Sequence, residues 1–103
     1  MSVLLQFAMF PTDKEESVSK YVSMVIDMIR NSGVEYKLTS MATIIETETL
    51  KEALAIVQKS YAVLEPYSNR VYSTITIDIR KGKSKRLTGK IQSIEDKIGK
   101  IDT

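Results

Sequence analysis

An α+β fold, with one layer of strands and one of helices, is what the sequence predicts, and two features carry that prediction. Apolar residues recur with period two in four short stretches, and at helical spacing in two longer stretches placed between strands. At 103 residues and 11.6 kDa the chain has the size of one ordinary domain, so residues 1–103 are expected to share one core.

The first strand is expected over Val3 to Phe10, where Val3, Leu5, Phe7 and Met9 share one face and Leu4, Gln6, Ala8 and Phe10 the other. Both faces are largely apolar, so it should lie inside the sheet. Pro11 ends it, and Thr12-Asp13-Lys14-Glu15 reads as a capping box opening a helix from about Asp13 to Asn31. Val18, Tyr21, Val22, Val25, Ile26 and Ile29 form its apolar stripe, and Asn31-Ser32-Gly33 stops it.

Val34 to Thr39 is shorter and more polar, which suits an edge strand, and Ser40-Met41 should turn it into a third strand over Ala42 to Glu48. Thr49 with Glu52 is a second capping box, after which Leu50, Ala53, Leu54, Val57, Tyr61 and Leu64 make a helical stripe limited by Pro66. From Arg70 to Arg80 the period returns to two, with Val71, Ser73, Ile75, Ile77 and Ile79 set against Tyr72, Thr74, Thr76, Asp78 and Arg80. After the basic run Arg80 to Arg86, Leu87, Ile91, Ile94, Ile98 and Ile101 predict a C-terminal helix over 87–101.

The order β-α-β-β-α-β is the ferredoxin-like split pattern. Right-handed crossovers place the first and third strands in the middle, the fourth beside the first and the second beside the third. Both main helices then cover one sheet face. The other carries Gln6, Tyr72, Thr74, Thr76 and Asp78 among apolar residues, a mixture suited to meeting a partner or ligand.

With no Cys and no His, the chain lacks thiol nucleophiles, disulfides, imidazole acid/base groups and the usual zinc ligands, so binding is expected rather than catalysis. A net charge of +2 names no partner. Nucleic acid is not expected, because the third strand has no aromatic platform and the basic run lies in a connection. Glu46, Glu48 and Asp78 could converge on a hard cation, but no ligand-loop spacing supports a metal, and none is assigned. Phe10-Pro11-Thr12-Asp13 lacks the glycine-rich anion cradle and arginine that acylphosphatase-like hydrolysis on this fold would need. The N-terminal apolar stretch is too short to span a membrane, and a cytoplasmic location is expected. The seam Leu87, Ile91, Ile94 and Ile98 suits either the chain's own sheet or another subunit.

Several stretches together point to a family: Phe10-Pro11-Thr12-Asp13, Met41-Ala42-Thr43-Ile44-Ile45-Glu46, Arg70-Val71-Tyr72-Ser73-Thr74-Ile75-Thr76-Ile77-Asp78, and the tail Leu87 to Ile98. With these the chain resembles the YkoF-like family of thiamine- and hydroxymethylpyrimidine-binding proteins over nearly its whole length. The resemblance implies ferredoxin-like subunits paired through their sheets as a homo-oligomer, dimer or tetramer. It also implies no chemical reaction and no cofactor other than thiamine as a bound ligand. Where the family usually has glycines, this chain has Ala42 and Thr47, which add bulk where a ligand or backbone might approach. Within the resembling stretches and the first strand, Gln6, Thr43, Glu46, Tyr72 and Asp78 offer the carboxylates, hydroxyls, amide and ring that an aminopyrimidine or thiazolium needs. Glu46 or Asp78 is assigned to the exocyclic amine or cationic ring, Thr43 and Gln6 to ring nitrogens and Tyr72 to stacking. The alternative is a structural or regulatory oligomeric module without a retained pocket.

Overall fold

The computed structural model describes residues 1–15 and 18–103, in the order β1 (Ser2–Pro11), α1 (Ser19–Ser32), β2 (Glu35–Leu38), β3 (Thr43–Thr47), α2 (Leu50–Leu64), β4 (Val71–Arg80) and α3 (Arg86–Ile98). The four strands form one antiparallel sheet ordered β2-β3-β1-β4, the split pattern that the sequence predicts. Residues opposite one another share a face. Val3, Leu5 and Phe7 lie between Thr47, Ile45 and Thr43 of β3 and Ile79, Ile77 and Ile75 of β4 on the face covered by α1 and α2. On the other face Leu4 lies between Glu46 and Asp78, Gln6 between Ile44 and Thr76, and Phe10 beside Tyr72. The core is built from the first set with Val25 and Ile29 of α1 and Ala53, Ile56 and Leu64 of α2.

Three elements depart from expectation. Helix α1 begins at Ser19 rather than near Asp13, and its N-cap Val18 makes no side-chain capping bond. The expected Thr12–Glu15 box is replaced by longer-range bonds. Asp13 accepts from the Ser68 hydroxyl (2.5 Å) and the Asn69 amide (2.8 Å), while the Thr12 amide donates to the Arg70 carbonyl (2.9 Å). Residues 16 and 17, which the expected helix includes, lie outside the described set.

In α2 the capping box forms as expected, the Glu52 amide donating to Thr49 Oγ1 at 3.2 Å. The buried face, however, is Ala53, Ile56, Ser60 and Leu64, whereas Leu50, Leu54 and Tyr61 are exposed. The apolar arc of this helix is wider than the core uses, and the sheet selects one side of it. Ser60 is tolerated inside because its hydroxyl donates to the Ile56 carbonyl (2.7 Å).

The tail helix ends at Ile98, and Gly99, expected inside its last turn, instead terminates it with φ +89°. Leu87 and Ile91 are half-buried, while Ile94 and Ile98 are exposed. The helix therefore folds back on its own chain, against β3, β1 and β2. Among the described residues no helix is long and apolar enough to cross a membrane.

Candidate functional site

Two arrangements combine polar chemistry with partial burial. The first is the rung Glu46–Leu4–Asp78 on the open face, over which Arg86 is laid. Lys85, in the left-handed region with φ 53°, turns the chain into α3 without a capping side chain of its own. The two amides that open the helix are taken by Glu46 from β3, with Arg86 N–H at 3.0 Å and Leu87 N–H at 2.9 Å, so a strand carboxylate serves as a remote N-cap. The Ser2 hydroxyl also donates to Glu46. Arg86 Nη1 meets Asp78 Oδ2 at 2.9 Å, Nε reaches Ser2 Oγ at 3.0 Å, and Nη2 serves the carbonyls of Ser2 and Asp78, each at 2.7 Å.

Burial pushes the Glu46 carboxyl up, but the Ser2 hydroxyl, the two amides and the Arg86 charge outweigh it and hold the group below the usual glutamate range. With three bonds already accepted, Glu46 has little capacity left for a ligand amine. This rung attaches the tail helix to the sheet. Its neighbours Glu35, Glu48 and Glu52 line an adjoining cleft, yet no group of three or more potential ligands among the described residues is close enough to hold a metal.

The second arrangement lies at the opposite end of β1. A cavity of about 270 Å³ opens between Phe7 and Met9 of β1, Val22 and Ile26 of α1, and the β2–β3 turn, where Met41, Ala42 and Thr43 form its wall. The turn is fixed by Thr39. Its amide and hydroxyl both donate to the Ala42 carbonyl, at 2.9 and 2.8 Å, and its hydroxyl oxygen accepts from the amides of Met41 (3.3 Å) and Ala42 (3.1 Å). Met41 is consequently held in solvent at 88% exposure beside the cavity. Thr43 is only 7% exposed. A second groove along α1, bounded by Tyr36 and by Asp27 paired with Arg30, shares Val22, Ile26 and Leu38 with this cavity.

The five residues singled out from sequence do not form one cluster. Glu46 and Asp78 stand on the tail-helix rung. Gln6 is exposed in the middle of the open face, and Tyr72 is at its far end against Phe10, with ring centres 5.9 Å apart. Six residues of extended strand, about 20 Å, separate Tyr72 from Asp78, so one small ligand on one copy cannot touch both. Thr43 points to the opposite face, because it pairs with Phe7 rather than with Gln6. Sequence reading missed Arg86 and Ser2 as members of the rung, and Met41 and Ile26 as cavity walls. Strand parity carried the signal for Thr43, since it is two residues from the buried Ile45. Of the two positions at which the sequence resemblance leads glycine to be expected, Ala42 lines the cavity, whereas Thr47 is used structurally, its hydroxyl donating to the Thr49 carbonyl (2.8 Å) at the start of α2.

The split β-α-β topology and the small cavity between β1, α1 and the β2–β3 turn define this subunit. The thiamine-binding protein family matches residues 5–95, and the chain belongs to that family. It is 35% identical over 83 residues to a UPF0045 protein of Methanothermobacter thermautotrophicus, covering 80% of this chain and 84% of that one. It is 33% identical over 95 residues to a UPF0045 protein of Mycobacterium bovis, covering 92% and 93%. Its fold is similar to that of a hypothetical protein of Methanocaldococcus jannaschii, with a TM-score of 0.79 at 27% identity over 92% of this chain and 97% of that one. A Thermotoga maritima protein suggested to act in thiamine biosynthesis or salvage shares the fold, with a TM-score of 0.78 at 19% identity over 91% and 99%.

Proposed function

We propose that this protein binds thiamine or its hydroxymethylpyrimidine moiety without transforming it, with the pyrimidine ring entering the cavity beneath the β2–β3 turn. The observation that carries this reading is the cavity walled by Phe7, Met9, Val22 and Ile26, with the Thr43 side chain in its lining, in a member of the thiamine-binding family. The Thr43 hydroxyl can donate to a ring nitrogen or accept from an exocyclic amine. At about 270 Å³ the cavity lies near the lower end of small-molecule sites, roughly 300–1,000 Å³, which fits one ring and leaves a thiazolium outside along the α1 groove. The chain has neither a thiol nor an imidazole to attack such a ring, which supports binding alone. Gln6 and Tyr72 act on the open half-face, where a further subunit of a homo-oligomer packs.

Calorimetric titration with thiamine and with hydroxymethylpyrimidine, beside Thr43→Val, tests this. Removing one neutral hydrogen bond should weaken binding by roughly 0.5–1.5 kcal/mol, about two- to tenfold, without lowering the melting temperature. No heat and no thermal stabilisation by either compound at millimolar concentration would end the ligand reading. Equal binding by wild type and Thr43→Val would move the site elsewhere.

A further inference from the structure

We infer that Met41 is a movable cover for the cavity beneath the β2–β3 turn: its side chain folds out of solvent onto a ring bound there, and its oxidation holds the site open. The inference rests on the ligand reading above and deepens it. Three large apolar side chains that stand in solvent border this one cavity, Val18 at 38%, Leu38 at 55% and Met41 at 88% exposure. Leu38 belongs to a strand, and the β-branched Val18, at the start of α1, has little freedom at χ1, so these two form a fixed rim. Met41 differs from both: it sits on the turn and carries an unbranched side chain with three rotatable bonds.

The turn itself does not need to move. Thr39 donates from its amide and its hydroxyl to the Ala42 carbonyl, and its hydroxyl oxygen accepts from the amides of Met41 and Ala42, so the backbone at the mouth is pinned before any ligand arrives. Closure is then the rotation of one exposed side chain, a picosecond-to-nanosecond event, and the ordering it requires is that of a single methionine rather than of a loop. Over an empty cavity the thioether meets few partner atoms. Over an aromatic ring it gains dispersion contacts and a sulfur–ring contact, so the cover favours flat rings over aliphatic guests of the same size. Burying about half of a methionine side chain corresponds to roughly a four- to tenfold change in affinity.

The same exposure makes Met41 the methionine that a peroxide meets first. Of the five methionines, Met1 is next at 50% exposure, and Met9, Met24 and Met28 are half-buried. Hydrogen peroxide transfers one oxygen atom to the thioether and leaves as water, giving a sulfoxide whose polar oxygen must shed its hydration before the side chain can lie on the ring. The oxidised side chain stays in solvent and the cavity stays open.

Calorimetric titration with thiamine and with hydroxymethylpyrimidine tests the cover in wild type, Met41→Ala and Met41→Leu, each before and after treatment with hydrogen peroxide and its removal. Both substitutions fall on an exposed turn side chain, so the melting temperatures should match wild type. Met41→Ala and peroxide-treated wild type should bind both compounds roughly four- to tenfold more weakly, whereas Met41→Leu should stay within about twofold of wild type and lose nothing on oxidation. Peptide mass spectrometry supplies a second reading: saturating thiamine should slow sulfoxidation of Met41 about threefold or more and leave that of Met1 unchanged. Wild-type affinity in Met41→Ala overturns the inference, as does sulfoxidation of Met41 that saturating thiamine does not slow. If Thr43→Val weakens binding while Met41→Ala does not, the cover alone fails. If wild type binds neither compound, the ligand reading fails and the cover with it.

Discussion

Replacing Glu46 by glutamine should loosen the tail helix by an amount that the geometry sets. The carboxylate accepts from the Ser2 hydroxyl and from the amides of Arg86 (3.0 Å) and Leu87 (2.9 Å), and it lies beside a guanidinium. A bond to a charged group contributes about 1.5–3 kcal/mol against about 0.5–1.5 for a neutral one, so losing the charge costs roughly 1 kcal/mol per bond, with incomplete additivity. Glutamine also turns an –NH₂ toward either the Leu87 amide or the Ser2–Arg86 pair, leaving at least one donor unmatched. About 2 kcal/mol is the resulting expectation, which for a chain of this size lowers the melting temperature by roughly 8–16 °C.

The pH dependence gives this prediction a signature that general damage would lack. Because the folded-state pKa of Glu46 lies below its ordinary value of 4.5, its contribution is fully present above that pH and is lost as pH falls through the folded value. The stability gap between wild type and Glu46→Gln should therefore be wide and flat from pH 6 to 7 and shrink below pH 4.5, other carboxylates cancelling in the difference. Urea unfolding at fixed protein concentration measures the gap, and amide hydrogen exchange at Arg86 and Leu87 reports local release of α3. A gap that is absent or independent of pH, or unchanged exchange at these two amides, would refute the remote-cap account.

Three further outcomes are expected. Asp13→Asn should be less stable than wild type near neutrality and equal to it once the pH is well below 3.8, because the Ser68 hydroxyl and Asn69 amide hold Asp13 below the usual aspartate range; thermal melts at both pH values check this. Thr49→Ala removes the N-cap of α2 and should cost about 1 kcal/mol, or roughly 4–8 °C in melting temperature. Ile91→Asp should destabilise the chain measurably in denaturant titration, whereas Ile98→Asp, at 72% exposure, should stay within about 0.5 kcal/mol of wild type.

The strand order and the two crossovers were legible because each strand shows period two and each helix a stripe, and handedness leaves one arrangement of the sheet. What periodicity could not supply was the phase of α2. Leu50, Leu54 and Tyr61 are as apolar as Ala53, Ile56 and Leu64, and only the position of the helix over β1 and β3 decides which arc is buried. The α1 start was lost for a related reason. Thr12–Glu15 is a good local cap, but Asp13 satisfies the loop before β4, a contact across 55 residues that no local pattern encodes. For the site, residue types were legible and their partners were not. Glu46 reads as a ligand-seeking carboxylate until the left-handed Lys85 brings two helix amides onto it. Thr43, by contrast, could have been assigned to the cavity face from parity with Phe7.

The same parity explains why the proposed site falls where it does. Only two helices cover the inner face of a four-stranded sheet, and a right-handed crossover sets each helix between the strands it joins: α1 toward β2 and α2 toward β4. On the β2 side the strand is short and α1 lies beside it, so the uncovered inner-face space becomes a partly open cavity beneath the turn at Met41. On the β4 side the strand has ten residues, longer than the partial cover α2 provides, so the uncovered space stays an open strip of isoleucines. One edge is thus suited to a ring-sized guest, and the other stays an exposed apolar strip. With β3 and β1 between them, substitutions at Thr43 and at Ile77 share no contact, and their effects should add independently.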